Sequence, residues 1–178
     1  MKTEIRLAGT GGQGVILASI VLAEAAGVHE GRRVVQTQSY GPEARGGASK
    51  ADVIISDEEI LYPKSRRLDI LVCLSQQAAE EYFPSLKQDG VAIIDSFYVR
   101  ECSREGAICL PLTETARDAL GRELFTNIVT LGAFARVTRV VRLESLEQAV
   151  ASRVPVHTLD LNRQALKAGW DMAAGCER

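Results

Sequence analysis

The apolar positions of this chain switch between the spacing of strands and the spacing of helices. Residues 4–7 alternate polar and apolar side chains, and residues 15–26 then carry apolar side chains at helical spacing up to Gly27. The run at residues 68–74 is apolar apart from Asp69, which is typical of a strand buried on both faces. Further strands are predicted at residues 33–38, 51–56, 91–94 and 107–112, and a helix from a Ser75 cap to about Phe83.

After the last of these strands the pattern becomes helical. Apolar faces recur at helical spacing over residues 125–140, 143–150 and 159–172, and Val154-Pro155-Val156 is the clearest break. The alternation of strands and helices predicts an α/β fold of three layers, with a mostly parallel, Rossmann-like sheet and a helical C-terminal part. Because no linker interrupts the 178 residues, we expect residues 1–178 to form a single domain.

The turn after the first predicted strand carries a G-x-G-x-x-G pattern. Gly9, Gly11, Gly12, Gln13 and Gly14 lie in this turn, and a helix is predicted to begin directly after it. Glycines let the backbone turn sharply and approach another group closely, and the free N–H groups of a helix N-terminus favour an anion. A tight turn that binds nothing would use the same residues, so the pattern alone does not decide between the two readings.

A second glycine-rich loop follows the second predicted strand. Arg45 is its first candidate for binding a phosphate or carboxylate, because a guanidinium can form two parallel hydrogen bonds to either group. A solvated loop with a Glu43–Arg45 pair is the alternative. Ligands of α/β folds bind at the carboxyl ends of the strands, where both loops are expected. The residues of this loop predicted to face a ligand or a partner are Ser39, Tyr40, Gly41, Pro42, Glu43, Arg45, Gly46 and Gly47.

The second predicted strand disfavours a self-sufficient NAD or FAD site. Dinucleotide-binding folds place an Asp or Glu about 20 residues past the glycine motif, at the end of that strand, to bind the ribose hydroxyls. Here the strand ends with Gln36-Thr37-Gln38, and Glu30 lies too early in the chain. Gln13 also puts a polar amide inside the turn, which a dinucleotide fold does not require.

Composition and charge point to a protein of the cytoplasm. A net charge of -2 gives no electrostatic case for nucleic acid or for an acidic membrane. No apolar run approaches the ~20 residues of a membrane span, and the first residues lack a signal-peptide core.

The cysteines form no C-x-x-C pair, so we expect reduced thiols that pack rather than bind metal. The four cysteines are Cys73, Cys102, Cys109 and Cys176. Neither His29 nor His157 has a carboxylate, cysteine or serine at the spacing of a catalytic triad, so we expect both to be surface or loop residues.

Several segments of the chain together resemble a known family. They are residues 5–15 and 39–47, Asn127 with Leu131-Gly132-Ala133, and Asn162 with Ala165, Leu166 and Gly169. With the two glycine loops in this order, the chain resembles the gamma subunit, or gamma domain, of the 2-oxoacid:ferredoxin (acceptor) oxidoreductases over essentially its whole length. It is most similar to the separate gamma chain of the 2-oxoglutarate enzymes, although pyruvate and branched-chain 2-oxoacid versions share these motifs.

The resemblance implies a subunit of a larger enzyme. Such enzymes convert a 2-oxoacid and coenzyme A (CoA) to acyl-CoA and CO2, using thiamine diphosphate, Mg and iron–sulfur clusters, and reduce ferredoxin. The implied partners are thiamine-diphosphate-binding alpha and beta subunits and a ferredoxin-like delta subunit. This chain has Gln88-Asp89-Gly90 instead of the Gly-Asp-Gly segment that holds thiamine diphosphate, and it lacks the clustered cysteines of an iron–sulfur protein.

We therefore expect a chain that is inactive alone, binds none of these cofactors by itself and contributes no catalytic residue. The resemblance implies that it supports assembly and forms the CoA side of the pocket. We expect the isolated chain to be a homodimer, because the surface that meets its partners is uncovered. The alternative is an independent nucleotide- or CoA-binding Rossmann-like protein whose glycine loop works unaided.

Overall fold

The computed structural model describes residues 1–39 and 48–178. In these ranges the strands are β1 (Lys2–Gly9), β2 (Arg33–Ser39), β3 (Ser49–Ser56), β4 (Leu68–Cys73), β5 (Leu86–Asp95) and β6 (Ile108–Leu110). The α-helices are α1 (Val15–Glu24), α2 (Gln76–Tyr82), α3 (Leu112–Leu120), α4 (Thr126–Thr138), α5 (Leu143–Arg153) and α6 (Leu159–Met172). A π-helical turn, Ala25–His29, continues α1, and 3₁₀ turns lie at Phe83–Ser85, Glu123–Phe125 and Val156–Thr158.

The described strands form one mixed sheet in the order β2-β3-β1-β4-β5-β6. Strands β1, β4, β5 and β6 pair in parallel, whereas β3 is antiparallel to both β1 and β2. Only residues 40–48 connect β2 to β3, which is too few for the crossover that a parallel pair needs. Since β2 and β1 both oppose β3, every described strand except β3 points the same way. The prediction of a mostly parallel sheet is confirmed.

Helices cover both faces of the sheet, as the predicted three layers require. Side chains of a strand alternate between its faces, and this alternation divides the core in two. One face packs against α2 through residues such as Leu71 and Ile94, which cluster with Ala78 and Ala79. The opposite face packs against α1, and the other helices complete the larger cluster on that side, which includes Ile5 of β1. The helical C-terminal part is therefore one side of the sandwich.

A buried ion pair lies under α2. The β1–β3 register sets Arg6 opposite Asp52, and the guanidinium donates to both carboxylate oxygens, Nε to Oδ1 at 2.7 Å and a terminal nitrogen to Oδ2 at 2.8 Å. The guanidinium carbon lies 4.8 Å from the ring centre of Tyr82 on α2. The two parallel hydrogen bonds and the neighbouring Tyr82 ring offset the free-energy cost of removing both charges from water.

The helices α4 and α6 touch through their backbones. A Cβ added to Gly132 would lie 2.0 Å from the carbonyl oxygen of Leu166, and one added to Gly169 would lie 1.9 Å from that of Val129. No side chain fits in either place, so glycine at both positions sets how closely the helices approach. The two glycines belong to segments that carry the family resemblance.

Several predicted boundaries were wrong. Strand β5 begins at Leu86, before the predicted residues 91–94, because the polar residues 87–89 that follow Leu86 carry no strand-like apolar pattern. The strand predicted at residues 107–112 ends at Leu110, since Pro111 lacks an N–H and leads into α3, a helix that the pattern did not resolve. The helix after the first loop passes Gly27 as a π-helical turn. Ser75 does cap α2, accepting a hydrogen bond from the Ala78 N–H at 3.3 Å.

Candidate functional site

The first glycine loop leaves the sheet at the edge where the parallel strands end. Gly9 is the last residue of β1, and the N–H of Leu74, just after β4, donates to the Ala8 carbonyl at 2.8 Å. The sheet registers set Gly9 opposite Ser49 and Ser39 opposite Lys50, so the carboxyl end of β2 lies at this edge too. The structure thus brings Ser39 and the first loop to one edge of the sheet.

Gln13 folds back into the loop and ties it to the end of β4. Its Oε1 accepts a hydrogen bond from the Thr10 N–H at 2.7 Å, and its Nε2 donates to the Leu74 carbonyl at 2.9 Å. A Cβ at Gly9 would lie 2.4 Å from the same Oε1. The Gln13 amide, which a dinucleotide fold does not require, therefore stabilises the turn. Gly9 has no side chain and so leaves space for this amide.

Gly14 begins α1 in contact with Asn127 of α4. Gly14 has a φ of 72°, in the left-handed region, and a Cβ there would lie 2.5 Å from Asn127 Nδ2. That nitrogen is 3.4 Å from the Gly14 carbonyl oxygen, while Asn127 Oδ1 accepts from the Ile128 N–H at 2.9 Å. Glycine is thus required at position 14 by both its backbone angle and its neighbour.

The middle of the loop is open. A Cβ at Gly11 or Gly12 would meet nothing within 4 Å, and only Gly12, with a φ of 88°, adopts a left-handed backbone. Both residues are exposed. The first N–H groups of α1 have no partner within the helix and carry its positive dipole end. The N–H groups at the start of α1 and the open space at Gly11 and Gly12 therefore lie at the same point of the sheet edge.

A groove of about 370 Å³ runs beside Gly12 and Gly14. Its walls come from α1, from the segment before α4 and from the region around α6. They are largely apolar and include three side chains that are exposed although large and hydrophobic: Leu17, Leu124 and Leu161. Asn127 and Asn162 line the same groove and are both buried. Two asparagines from segments that carry the family resemblance thus line one groove beside the glycine loop.

Two arginines give the groove positive charge. Arg122 is exposed and makes no ion pair with the part of the chain that the structure describes. Arg153 is already engaged, because its Nε and the Ser152 hydroxyl both donate to the Glu24 carboxylate. Burial acts to raise the pKa of Glu24, but these hydrogen bonds and the charge of Arg153 outweigh it and lower the pKa below 4.5. Arg122 is the cation of the groove that remains available.

Most of the second loop lies outside the described residues. Ser39 ends β2 at the same edge of the sheet as the first glycine loop. The expectations for Tyr40, Gly41, Pro42, Glu43, Arg45, Gly46 and Gly47 fall on residues 40–47, which the structure does not describe.

The strand order bears on the NAD and FAD alternative. In a dinucleotide-binding fold the strand beside β1 supplies the acidic residue for the ribose. Here the antiparallel β3 separates β1 from β2, and β2 carries no Asp or Glu. Asp95, which ends β5 at the same edge, is fully buried and accepts hydrogen bonds from Thr113 and Phe97 instead of facing the groove.

The two histidines differ in their exposure. His157 is exposed, as expected, but His29 is half-buried and lies 4.0 Å from the Glu24 carboxylate, so the expectation of an isolated surface histidine was wrong for it. Across residues 1–39 and 48–178, no three His, Cys, Asp or Glu side chains come together as a metal site.

Sequence reasoning missed part of the groove. Asn127 and Asn162 were assigned no site role, and Leu17, Arg122, Leu124 and Leu161 were not singled out. A signal existed for the asparagines: each interrupts an apolar helical face, and a buried amide needs specific partners. No local signal marks the remaining lining residues, because they come from three separate parts of the chain.

The comparison with known proteins identifies the family. A family profile described as pyruvate ferredoxin/flavodoxin oxidoreductase matches residues 4–172. The chain belongs to this family. Within the family, the chain is 45% identical over 177 residues to the 2-oxoglutarate synthase subunit KorC of Methanocaldococcus jannaschii, covering 97% of this chain and 95% of that protein. It is 31% identical over 175 residues to the pyruvate synthase subunit PorC of Methanothermobacter marburgensis, covering 94% and 96%.

A solved structure of the same family has the same fold. The gamma subunit of keto/oxoacid ferredoxin oxidoreductase from Geobacter sulfurreducens superimposes with a TM-score of 0.86 at 44% identity, covering 96% of this chain and 98% of that one. The predicted gamma-type fold is therefore confirmed, and the protein is a subunit of an oxidoreductase of this family. No helix within the described ranges is long and apolar enough to cross a membrane.

Proposed function

We propose that this protein is the gamma subunit of a 2-oxoglutarate:ferredoxin (acceptor) oxidoreductase. The complex converts the 2-oxoacid and CoA to acyl-CoA and CO2 and passes the electrons to ferredoxin. One observation carries the choice of substrate: identity is 45% to a 2-oxoglutarate synthase subunit and 31% to a pyruvate synthase subunit, each over nearly the full length. A cytoplasmic location belongs to the same proposal.

Within that complex, the glycine-loop edge forms the CoA side of the active site. Three features support this role: open space above Gly11 and Gly12, the free N–H groups at the start of α1, and the unpaired Arg122 nearby. Backbone donors and a guanidinium suit the phosphates of CoA, and the apolar walls suit its pantetheine arm. Ser39 and the loop of residues 40–47, with Arg45, complete this side.

The chain's own residues do not fit the other cofactors. Asp89 lies near the start of β5, at the opposite end of the strand from the sheet edge that carries the first glycine loop, so Gln88-Asp89-Gly90 cannot serve that edge as a diphosphate and Mg site. Of the four cysteines, only Cys73 and Cys109 lie in strands, and among the described residues no group of three or more His, Cys, Asp or Glu side chains could hold a metal ion. Partner chains therefore hold thiamine diphosphate, Mg and the iron–sulfur clusters, namely the alpha and beta subunits and a ferredoxin-like delta subunit.

The apolar groove supports a role in assembly. Leu124 is 72% exposed, and Leu17 and Leu161 are exposed beside it. Contiguous apolar side chains at a protein surface are typical of an interaction site. In the isolated chain the same surface favours a homodimer, and sedimentation at micromolar concentration tests this: a monodisperse monomer would contradict it.

Reconstitution tests the proposed function. The chain is co-expressed with its alpha, beta and delta partners, and reduction of a viologen dye is followed with 2-oxoglutarate, pyruvate and 2-oxoisovalerate. We expect CoA-dependent activity that requires all four chains and is highest with 2-oxoglutarate. Preference for another 2-oxoacid would overturn the substrate, and full activity without this chain would overturn its role.

A pair of variants separates the groove from general surface effects. Leu124→Asp adds a charge to the groove, whereas Val28→Asp adds one in the π-helical turn after α1, outside the groove lining, at a residue with the same 72% exposure. We expect only Leu124→Asp to weaken assembly. If the lone chain instead binds CoA at micromolar concentration by calorimetry and joins no complex, the independent CoA-binding alternative is correct.

A further inference from the structure

Two cysteines occupy one row across the sheet, far along the chain from the glycine loop. The registers set Cys73 of β4 opposite Ile94 of β5, and Ile94 opposite Cys109 of β6. Residues in one row of a parallel sheet point to the same face, and two strand spacings amount to about 10 Å. Cys73 is fully buried, whereas Cys109 is exposed on the edge strand.

The connection from β5 to β6 brings a third thiol to this face. Val99 of that connection is buried in the same core cluster as Cys73. Gln76 Oε1 accepts hydrogen bonds from the N–H groups of Arg100 and Glu101, and the Arg104 guanidinium donates to the carbonyls of Lys87 and Gln88. Cys102 therefore lies between two anchored points of the segment.

The sulfur atoms of Cys102 and Cys109 border a single turn. The Ala107 N–H donates to the Arg104 carbonyl at 3.3 Å. Cys102 Sγ lies 3.6 Å from that same carbonyl oxygen, and Cys109 Sγ lies 3.9 Å from the Ala107 carbonyl oxygen. The two cysteines are thus placed symmetrically, each two residues outside the turn.

The Cys102 side chain affects the pKa of both other thiols. Burial raises the pKa of Cys109, and Cys102 raises it further. Burial raises the pKa of Cys73 to about 12, with a smaller contribution from Cys102. Of the three, Cys102 and Cys109 are exposed and Cys73 is not, so an oxidant in solution reaches only that pair.

We propose that Cys102 and Cys109 are a redox modification site that closes into a reversible intrachain disulfide when the chain meets a peroxide. The Cys102 thiolate attacks hydrogen peroxide and cleaves its O–O bond, which gives a sulfenic acid and a hydroxide that takes up a proton to become water. The Cys109 thiol then attacks the sulfenic sulfur, forming the S–S bond and releasing a second water. Two thiols are oxidised by two electrons, and one peroxide is reduced. A dithiol reductant reverses the step by thiol–disulfide exchange.

The bond ties the connecting segment to β6. Its ends are separated by a short, already anchored loop, so closure orders few additional residues. Strand β6 leads through Pro111 into α3, and the bridge therefore fixes the edge of the sheet from which this helix starts.

Peptide mapping of the full chain tests the proposal directly. Trypsin cleaves after Arg104, between the two cysteines, so the bridge joins peptide 101–104 to peptide 105–117. After a brief treatment with hydrogen peroxide and denaturation, we expect the free thiols to fall from four to two per chain. The linked peptides should appear in the mass spectrum and separate on adding dithiothreitol.

Single variants assign the pair. Cys102→Ser and Cys109→Ser should each abolish the linked peptides, whereas Cys176→Ser should leave them unchanged. Four thiols remaining under conditions that oxidise a control dithiol would overturn the proposal. A bond from Cys102 to Cys73, or a disulfide between two chains, would overturn the assigned pairing as well.

Discussion

The side-chain amide of Asn127 fills the space that a side chain at Gly14 would need. Its Nδ2 is 2.5 Å from the position of a Cβ on Gly14, although the two residues are 113 positions apart. The contact joins the first turn of α1 to the helical layer formed by the C-terminal part. It also makes one wall of the groove beside the glycine loop.

Replacing Gly14 should reveal this contact. We expect Gly14→Ala to lower the free energy of unfolding by about 1–3 kcal/mol, because a left-handed φ and a close amide both oppose a methyl group. Adding Asn127→Ala should remove the clash but not the backbone strain. Urea denaturation of both single variants and the double variant measures the coupling. If the two substitutions change the free energy of unfolding additively, Asn127 does not restrict the side chain at position 14.

The two central glycines of the loop should differ in tolerance. Gly12→Ala must place a methyl group on a residue with a φ of 88°, at a cost of about 1–2 kcal/mol. Gly11 has no left-handed angle and has open space, so Gly11→Ala should stay within about 0.5 kcal/mol. Thermal unfolding compares them, and equal losses would contradict the geometry. Both variants keep the loop's charge, so CoA kinetics in the complex can be compared as well.

Gln13 should contribute to stability through its two hydrogen bonds. In Gln13→Ala the Leu74 carbonyl and the Thr10 N–H lose their partner, and we expect a loss of about 1–3 kcal/mol. Gln148→Ala is the matched control, because Gln148 is exposed on α5 and should change stability by less than about 0.5 kcal/mol. Chemical denaturation distinguishes the two, and a silent Gln13→Ala would mean that the loop keeps its shape without this amide.

Glu24 should make stability depend on pH in the acid range. Burial acts to raise its pKa, but the hydrogen bonds from Ser152 and Arg153 lower it below 4.5 in the folded protein. Its stabilising contribution is therefore complete well above pH 4.5 and disappears as the pH falls through the folded pKa. Glu24→Gln should cost about 1 kcal/mol at pH 7, since Arg153 is half exposed.

Denaturation curves from pH 7 to pH 3 test the Glu24 prediction. The stabilities of Glu24→Gln and the parent should converge as the pH falls. Glu105→Gln, at an exposed carboxylate, should follow the parent curve throughout. A difference for Glu24→Gln that stays constant over this range would show that the lost interaction does not depend on the charge.

Arg45 is the predicted CoA contact of the second loop. In the reconstituted complex, Arg45→Ala should raise the apparent KM for CoA by about one to two decades, the effect of losing one charge-assisted hydrogen bond of roughly 1.5–3 kcal/mol. If Arg45 only pairs with Glu43 or braces a subunit contact, complex stability should fall while CoA kinetics stay unchanged. That second result would remove Arg45 from the site.

Much of the fold follows from local patterns in the sequence. The buried strand predicted at residues 68–74 and the helix capped by Ser75 are both confirmed, since strand burial and helix capping depend on neighbouring residues. The glycine turn was located correctly at the carboxyl end of β1 for the same reason. Its glycines differ in a way that the sequence does not show: Gly9 makes room for Gln13, Gly14 for Asn127, and Gly11 for nothing within 4 Å.

The sequence by itself determined the alternation of strands and helices, the position of the glycine loop and, through the resemblance, the family. Only the tertiary structure decided that β3 lies antiparallel between β1 and β2, and that Leu17, Leu124 and Leu161 enclose one groove. Strand order and groove walls depend on packing between elements that are distant along the chain. Local spacing carries no information about such contacts, because each element would show the same apolar pattern beside a different neighbour.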